Sequence, residues 1–171
     1  RAGVIMAIEN SDVTHVNDIG YDLASSKLAA EHAAKYPWCH AAVGIHPHDA
    51  KNADDLTLSM IRMLAAKPGV VAIGEIGLDY HYEGYDKEKQ ILLFETQLDI
   101  AERNNKPVVI HSRDAVQDTI DILKHHNVKG VIHSFSLSKE VANIYTSMGF
   151  KLGINGVVTF KNAHLKEVIK E

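Results

Sequence analysis

The sequence is poor in cysteine, in basic charge and in long apolar segments, and each shortage excludes a class of protein. Its one cysteine, Cys39, cannot form a disulfide within the chain, which is typical of a reducing compartment and predicts a cytoplasmic protein. The 18 basic residues are outnumbered by 22 acidic ones, so any contact with nucleic acid must be confined to a local site. No apolar run approaches the roughly 20 residues that cross a bilayer, and the first residues show no basic-then-apolar signal pattern. We therefore expect no membrane partner, and nothing indicates an obligate protein partner.

Helical and extended patterns alternate along the 171 residues, a length that suffices for one sizeable core. We expect a single domain over residues 1–171. Apolar runs predict strands at residues 13–20, 39–45, 70–80, 107–110, 130–132 and 150–154. Periodicity and capping residues predict helices at residues 2–10 and 23–36, after Asn52, Asp86, Asp114 and Ser138, and from residue 164. The helix after Asn52 is expected to bury a stripe made of Leu56, Met60, Met63 and Leu64.

Strict alternation of helices with very apolar strands indicates parallel strands joined by helical crossovers. Two architectures fit this pattern, an open doubly wound sheet and a (β/α)8 TIM barrel. Polar residues follow at least four of the strands instead of gathering at one crevice, which favours the rim of a barrel. Such a barrel usually needs about 250 residues. We interpret the chain as a barrel fragment with about six parallel strands that lacks the first and eighth strands.

The fragment interpretation predicts a sheet that is open at one place. The strands at residues 13–20 and 150–154 would be its edges, with unpaired backbone groups and uncovered apolar side chains. We expect the rest of the natural chain to close the gap. Since proteins are stable by only about 5–15 kcal/mol, the fragment alone should be marginal as a soluble monomer.

The buried run at residues 70–80, VVAIGEIGLDY, presents Glu75 at the end of a strand. Two later runs end in histidine, with His111 in PVVIHSR and His133 in GVIHSFS. A buried charge is normally paired or bound to a metal. Each histidine alone fits a polar strand end, but the coincidence of three such strand ends favours a site for divalent ions such as Zn, Mn or Fe.

Further polar residues follow the same strands. His46 and His48 flank a proline in GIHPH that keeps the backbone extended, so both rings are expected to point at a substrate instead of chelating one ion. For His46 we prefer substrate contact to a third metal ligand or a solvated turn. Arg113 carries the fork that recognises phosphate, or else forms an ion pair with Asp79 or Asp114. Asp79 and Tyr80 either orient substrate or only cap the loop that they begin.

The remaining histidines fall in helices, loops or strand starts. We expect them at the surface: His15, His32, His40, His81, His125, His126 and His164.

The segments GIHPHDA, IGEIGLDY, PVVIHSRDA and VIHSFS, in this order and at these separations, resemble the TatD family of metal-dependent hydrolases, which belong to the amidohydrolase-type barrels. The resemblance implies that Glu75 bridges two divalent metal ions (Zn, Mg or Mn) and that His111 and His133 each bind one of them, which makes these three the catalytic residues. It also implies phosphodiester hydrolysis, as a deoxyribonuclease or 3′-to-5′ exonuclease acting on single-stranded or frayed DNA ends. The family's first-strand HxH pair and its eighth-strand aspartate have no counterpart in the sequence.

The family mechanism is also the one that two-metal chemistry predicts. Two ions would acidify a water molecule that attacks phosphorus, while Arg113 and His46 hold the phosphate. No serine or cysteine lies in a recognisable nucleophile motif. Two rival interpretations stay open: hydrolysis of an ester or amide, including an aminoacyl-tRNA ester, and an inactive fragment.

Overall fold

The computed structural model describes residues 2–161 and 165–169, over which helices and strands alternate. The helices are α1 (Ala2–Glu9), α2 (Leu23–Lys35), α3 (Asp55–Ala65), α4 (Lys87–Arg103), α5 (Val116–Leu123), α6 (Lys139–Ser147) and α7 (Leu165–Ile169). The strands are β1 (Val16–Ile19), β2 (Cys39–Val43), β3 (Val70–Asp79), β4 (Val108–Arg113), β5 (Gly130–Ile132) and β6 (Lys151–Leu152). Short 3₁₀ turns occupy Pro47–Asp49 and Gly156–Thr159.

The strands form one parallel sheet in the order β1-β2-β3-β4-β5-β6, so each strand pairs with the next one along the chain. This order, with helical crossovers, makes a curled half-barrel and excludes the doubly wound alternative, whose strand order reverses. Among the described residues β1 and β6 are the two end strands, and the sheet is open between them as predicted. Its closure by further strands stays a prediction.

The ends of the elements depart from the sequence-based expectations in specific ways. Asp86 caps α4 as predicted, because its carboxylate accepts the N–H of Lys89. Asn52 does not cap α3: Asp54 does, through the N–H of Thr57. Asp114 does not cap α5 either, since its backbone has φ of 53° and Ala115 precedes the helix. The predicted helix start at residue 164 lies outside the described residues.

The helices cover the sheet with a continuous apolar core. Phe94 and Leu98 of α4 are fully buried in this core. The predicted stripe of α3 was wrong in part, because Leu56 and Met63 are exposed. The helix instead turns Ile61, Leu64 and Ala65 inward, a face displaced around the helix axis. In the part of the chain that the structure describes, no helix has the length and apolarity needed to cross a membrane.

Candidate metal centre

The carboxyl ends of β2 to β5 meet at one edge of the sheet and carry the polar residues singled out from the sequence. Register places Gly77 opposite His111 and Asp79 opposite Arg113. The N–H of His133 donates to the carbonyl of Ile110 at 2.8 Å, which continues the β4–β5 pairing to the same edge. Parallel pairing therefore places these segments side by side, as a barrel rim requires.

The glycines around Glu75 allow neighbouring strands to approach closely. Gly77 has φ of 140°, and a Cβ there would lie 1.9 Å from the carbonyl oxygen of His111. A Cβ on Gly44 would lie 2.8 Å from Cγ2 of Ile76. The pairing of β3 with β4 also shifts register between Ile73 and Ile76, an irregularity of the kind that re-aims a side chain. The Gly74–Glu75 peptide bond is cis.

Three side chains gather into a metal-ligating cluster, which consists of His46, Glu75 and His111. Their ligand atoms all lie within 4.8 Å of one another. Nδ1 of His111 is 3.3 Å from Oε1 of Glu75, about the separation of two ligands that each lie about 2.1 Å from one ion. The donor set of two imidazoles and one carboxylate suits borderline divalent ions. The residues present therefore fit a metal centre.

Asp79 lies directly behind this cluster and is only 1% exposed. Its Oδ2 accepts hydrogen bonds from Nε2 of His111 at 2.8 Å and from Nε2 of His48 at 2.9 Å. Burial raises the pKa of Asp79, but hydrogen bonds from the N–H of His81 and from His111 outweigh it and lower the pKa. The carboxylate is therefore a charged anchor for two histidines, and it directs Nδ1 of His111 towards Glu75.

Within the metal-ligating cluster, burial and neighbouring charges also have opposite effects on side-chain pKa values. Burial raises the pKa of Glu75, but the hydrogen bond from His111 and the nearby imidazoles outweigh it and lower the pKa. Burial lowers the pKa of His111, but its hydrogen bonds to Glu75 and Asp79 prevail and raise it. For His46, burial and then the charge of His111 lower the pKa to about 4. The His46 ring is therefore neutral near pH 7.

The orientation of His46 bears on the roles that the sequence left open. Its Nδ1 accepts the N–H of His48 at 3.3 Å, so the proton of the neutral ring lies on Nε2. The ring centroid is 4.4 Å from that of His111. His46 thus lies within reach of an ion held by His111, and it presents an N–H donor that suits a phosphate oxygen.

His133 stands apart from this cluster. Its side chain is exposed, and it is not among the described residues whose ligand atoms converge within 4.8 Å. Its electrostatic interaction with Glu75 still helps to lower the pKa of Glu75, which places it in the same neighbourhood. The structure therefore brings together two of the three ligands expected from the sequence and leaves the third nearby.

Arg113 and Tyr80 lie beyond the cluster on the same edge. Arg113 donates to the hydroxyl of Tyr82 at 3.2 Å and lies over its ring. No ion pair joins Arg113 to Asp79 or Asp114 in the described part of the chain, and Asp114 pairs with His81 instead. Tyr80 donates its hydroxyl to Asp118 at 2.8 Å, so that group is already engaged.

Sequence reasoning missed two buried glutamines of α4 that support this edge. Gln97 accepts the N–H of Ile45 at 2.7 Å and donates to its carbonyl at 3.0 Å. Gln90 makes the same pair of bonds with the backbone of Asp79, both at 2.8 Å. Their spacing of seven residues places them on one helix face, and this is the signal that could have found them.

A further group of possible ligands was also missed. Asp99 and Glu102 of α4 face His126, which was expected at the surface but has a side chain only 13% exposed. The group does not share the rim occupied by the cluster, since Glu102 and Asn127 lie beside the start of β5.

Known proteins resemble the chain in sequence and in fold. The family model described as TatD related DNase matches residues 1–171. The uncharacterized metal-dependent hydrolase YabD of Bacillus subtilis is 40% identical over 172 residues, covering 98% of this chain and 68% of that protein. The 3′-5′ ssDNA/RNA exonuclease TatD of Escherichia fergusonii is 38% identical over 142 residues, covering 81% of this chain and 55% of that protein. The crystal structure of YJJV, a TatD homolog from Escherichia coli K12, matches with a TM-score of 0.86 at 30% identity, covering 91% of this chain and 62% of the other.

These matches bear on fold more directly than on activity. The similarity to a solved TatD homolog confirms the fold class expected from the sequence. The chain spans only part of the length of each of these proteins.

Proposed function

Because the chain belongs to the family of TatD-related DNases, we propose that it forms part of a divalent-metal-dependent phosphodiesterase acting on DNA. The proposed activity is that of a deoxyribonuclease or 3′-to-5′ exonuclease, with single-stranded DNA or frayed duplex ends as substrate. The observation that carries the proposal is the metal-ligating cluster at the carboxyl edge of a half-barrel. The relative named an ssDNA/RNA exonuclease supports a nucleic-acid substrate.

The proposed cofactors are two divalent ions, Zn, Mg or Mn. As the family resemblance implies, Glu75 would be shared between them, and His111 and His133 would each hold one. The convergence of Glu75 with His111 supports this assignment, and His133 lies close enough to Glu75 to affect its pKa. Bound there, the ions would lower the pKa of a water molecule and offset the charge that develops on the phosphate oxygens.

The chain's own residues hold the substrate and the ligands. His46 offers its Nε2–H to a phosphate oxygen, because its Nδ1 is engaged by the N–H of His48. Arg113 brings an exposed guanidinium to the same edge, where its fork fits a phosphate. Asp79 holds the rings of His111 and His48 in place.

Tyr80 and His48 take narrower roles in this proposal. Tyr80 orients the loop after β3, since its hydroxyl is bonded to Asp118 and its ring stacks on that of Tyr85. His48 shares the carboxylate of Asp79, and its half-exposed ring faces the substrate side of the cluster.

The metal proposal is tested on the full-length protein by replacing Glu75. Glu75→Gln removes the negative ligand, so metal affinity should fall at least as far as the about 10- to 100-fold that loss of a partner behind a ligand costs. Metal content and cleavage of labelled single-stranded DNA should fall with it. His125→Asn changes an exposed histidine and serves as the matched control, which should retain both. Normal metal content and cleavage in Glu75→Gln would contradict the proposal.

The reaction class is tested with a panel of substrates and two further variants. Single-stranded DNA, duplex DNA, RNA, a carboxylic ester and an aminoacyl-tRNA are compared under one metal condition. Arg113→Ala should slow DNA cleavage without lowering metal content. His46→Ala should do the same, because the proposal assigns His46 to the phosphate although its ring lies within reach of the ion. Cleavage of esters but not of DNA would contradict the phosphodiesterase activity and favour an ester hydrolase. Loss of metal in Arg113→Ala would assign Arg113 a structural role.

We infer that residues 1–171 form one domain and that further strands complete its barrel. The lone thiol of Cys39 is buried and free, which is consistent with the cytoplasmic location expected from the sequence.

A further inference from the structure

The loop between β3 and α4 exposes two aromatic side chains beside the metal-ligating cluster. Tyr82 is 54% exposed and Tyr85 is 44% exposed. With His48, Lys51 and Gly84 they line a cavity of about 430 Å³. This volume falls within the range of about 300–1,000 Å³ found for small-molecule sites. We name it the Tyr82–Tyr85 cavity.

A continuous series of contacts joins this cavity to the cluster. The ring of Tyr82 lies 5.2 Å from that of His48, edge to face. The ring of His48 lies 4.4 Å from that of His46, and its Nε2 is bonded to Asp79. A flexible chain that places one phosphate at His46 would therefore bring the adjoining group of the same ligand into the cavity.

The charged side chains that line the cavity determine which kind of chemical group can bind in it. Glu83 and Asp86 both face it, and both are acidic. Lys51 also lines it, but its Nζ donates to the carbonyl of Gly84 at 2.6 Å. An acidic lining disfavours a second phosphate and tolerates a neutral planar group with N–H donors. A nucleobase is such a group.

Both rings are held in place before any ligand arrives. The guanidinium of Arg113 lies 5.3 Å from the centre of the Tyr82 ring and donates to its hydroxyl. The ring of Tyr85 stacks on that of Tyr80 at 4.8 Å, and Tyr80 is fixed by Asp118. Aromatic side chains ordered in advance lose little entropy when a base stacks on them.

We propose that the Tyr82–Tyr85 cavity binds, by stacking on Tyr82, the nucleobase next to the phosphate that is cleaved. This inference rests on the proposed function and specifies its substrate. Because every base has a π-face, stacking tolerates any sequence. A base within a duplex is already stacked and paired, so the cavity accepts only an unpaired one and selects single-stranded or frayed ends.

The test measures binding separately from cleavage. The probe is a fluorescent single-stranded oligonucleotide with phosphorothioate linkages at its 3′ end, which resist hydrolysis, and the protein is the full-length, metal-loaded form. Tyr82→Ala should weaken binding by about 5- to 100-fold, the range expected for loss of one base–aromatic stack. Tyr82→Phe is the matched control, because it keeps the ring and its contact with the guanidinium of Arg113 and loses only the bond to the hydroxyl. It should bind within about twofold of wild type.

A second probe locates the base that stacks. Oligonucleotides with a single abasic site at successive positions from the 3′ end are bound to wild type and to Tyr82→Ala. At one position the missing base should weaken binding by wild type and leave binding by Tyr82→Ala unchanged. Such non-additivity identifies the base that contacts Tyr82.

The outcomes separate this inference from the proposed function. If wild type cleaves DNA but wild type and Tyr82→Ala bind the oligonucleotide equally well, the proposed base site is wrong. The proposed phosphodiesterase activity is then unaffected. Tyr82-dependent binding in a protein that cleaves no phosphodiester supports the base site and overturns the phosphodiesterase. Absence of both binding and cleavage overturns both.

Discussion

The buried carboxylate of Asp79 accepts a hydrogen bond from Nε2 of His111 at 2.8 Å. This bond fixes the ring so that its other nitrogen faces Glu75 at 3.3 Å. A histidine ligand held by a carboxylate has a defined tautomer and a more basic free nitrogen. The sequence left Asp79 either orienting substrate or capping the loop that it begins. Its carboxylate does accept the N–H of His81 in that loop at 3.0 Å, and its near-complete burial favours a positioning role behind the ligand over a substrate contact.

Asp79→Asn should therefore weaken metal binding by about 10- to 100-fold, the usual effect of removing a carboxylate behind a histidine ligand. The asparagine keeps the shape of the side chain and loses the charge that supports the ring. Metal affinity is measured by competition with a chelator, and circular dichroism checks the fold. Asp121→Asn is the control, since Asp121 is an exposed carboxylate of α5 that pairs with Lys124. Unchanged metal affinity with a raised KM for DNA would instead make Asp79 a substrate contact.

Gln97 of α4 should be a large local contributor to stability. Its side chain is fully buried and bonds both the N–H and the carbonyl of Ile45, the residue that leads into His46. Gln97→Ala would leave two buried backbone groups unpaired, each costing about 1–3 kcal/mol. We expect the free energy of unfolding in urea to fall by about 2–5 kcal/mol.

Gln117 of α5 supplies the matched control for this prediction. It is exposed, and within the described part of the chain its side chain bonds only the carboxylate of Asp121, at 2.7 Å. Gln117→Ala should therefore stay within about 0.5 kcal/mol of wild type. Equal losses in the two variants would show that Ile45 finds other partners.

The fold could be predicted from the sequence to a large extent because its signals are local. Apolar runs, helical periodicity and the caps of individual helices depend on neighbours in the chain, so six strands were found in the right order. The errors lie where long-range contacts decide. Asp114 was assigned as a cap, but its carboxylate bonds His81 from another loop. Leu56 and Met63 were assigned to the core, but packing against the sheet selects the neighbouring face of α3.

The residues of the candidate site that lie at strand ends could be predicted from the sequence. Those whose position depends on side-chain geometry could not. Glu75 and His111 meet because parallel strands end at the same edge, which the sequence pattern implies. The exposure of His133 and the closeness of His46 to the two ligands depend on loop conformations that no spacing encodes. Gln90 was overlooked because a glutamine within an apolar helix face carries no motif of its own.

The start of α2 provides a prediction of how stability depends on pH. The carboxylate of Asp22 accepts the N–H of Ser25 at 2.6 Å, and the hydroxyl of Ser25 accepts the N–H of Asp22 at 3.0 Å, so the two residues cap the helix reciprocally. The hydrogen bond from the Ser25 side chain, and then that from its backbone, lower the pKa of Asp22. A carboxylate with a lower pKa in the folded than in the unfolded protein stabilises the fold above the unfolded pKa, which is about 3.9. That stabilisation is lost as the pH falls through the folded value.

Asp22→Ala should reduce the free energy of unfolding at pH 7 by about 0.5–2 kcal/mol, the usual cost of removing a helix cap. Asp22→Asn isolates the part that depends on pH, because asparagine keeps a capping oxygen but does not titrate. Urea unfolding of wild type and Asp22→Asn is compared at intervals from pH 7 to about pH 3, around the unfolded value of about 3.9. The advantage of wild type should be constant at neutral pH and should shrink below about pH 4, since protonation then neutralises the charged cap. An advantage that grows on acidification would have the opposite sign and would show that the folded protein raises the pKa of Asp22.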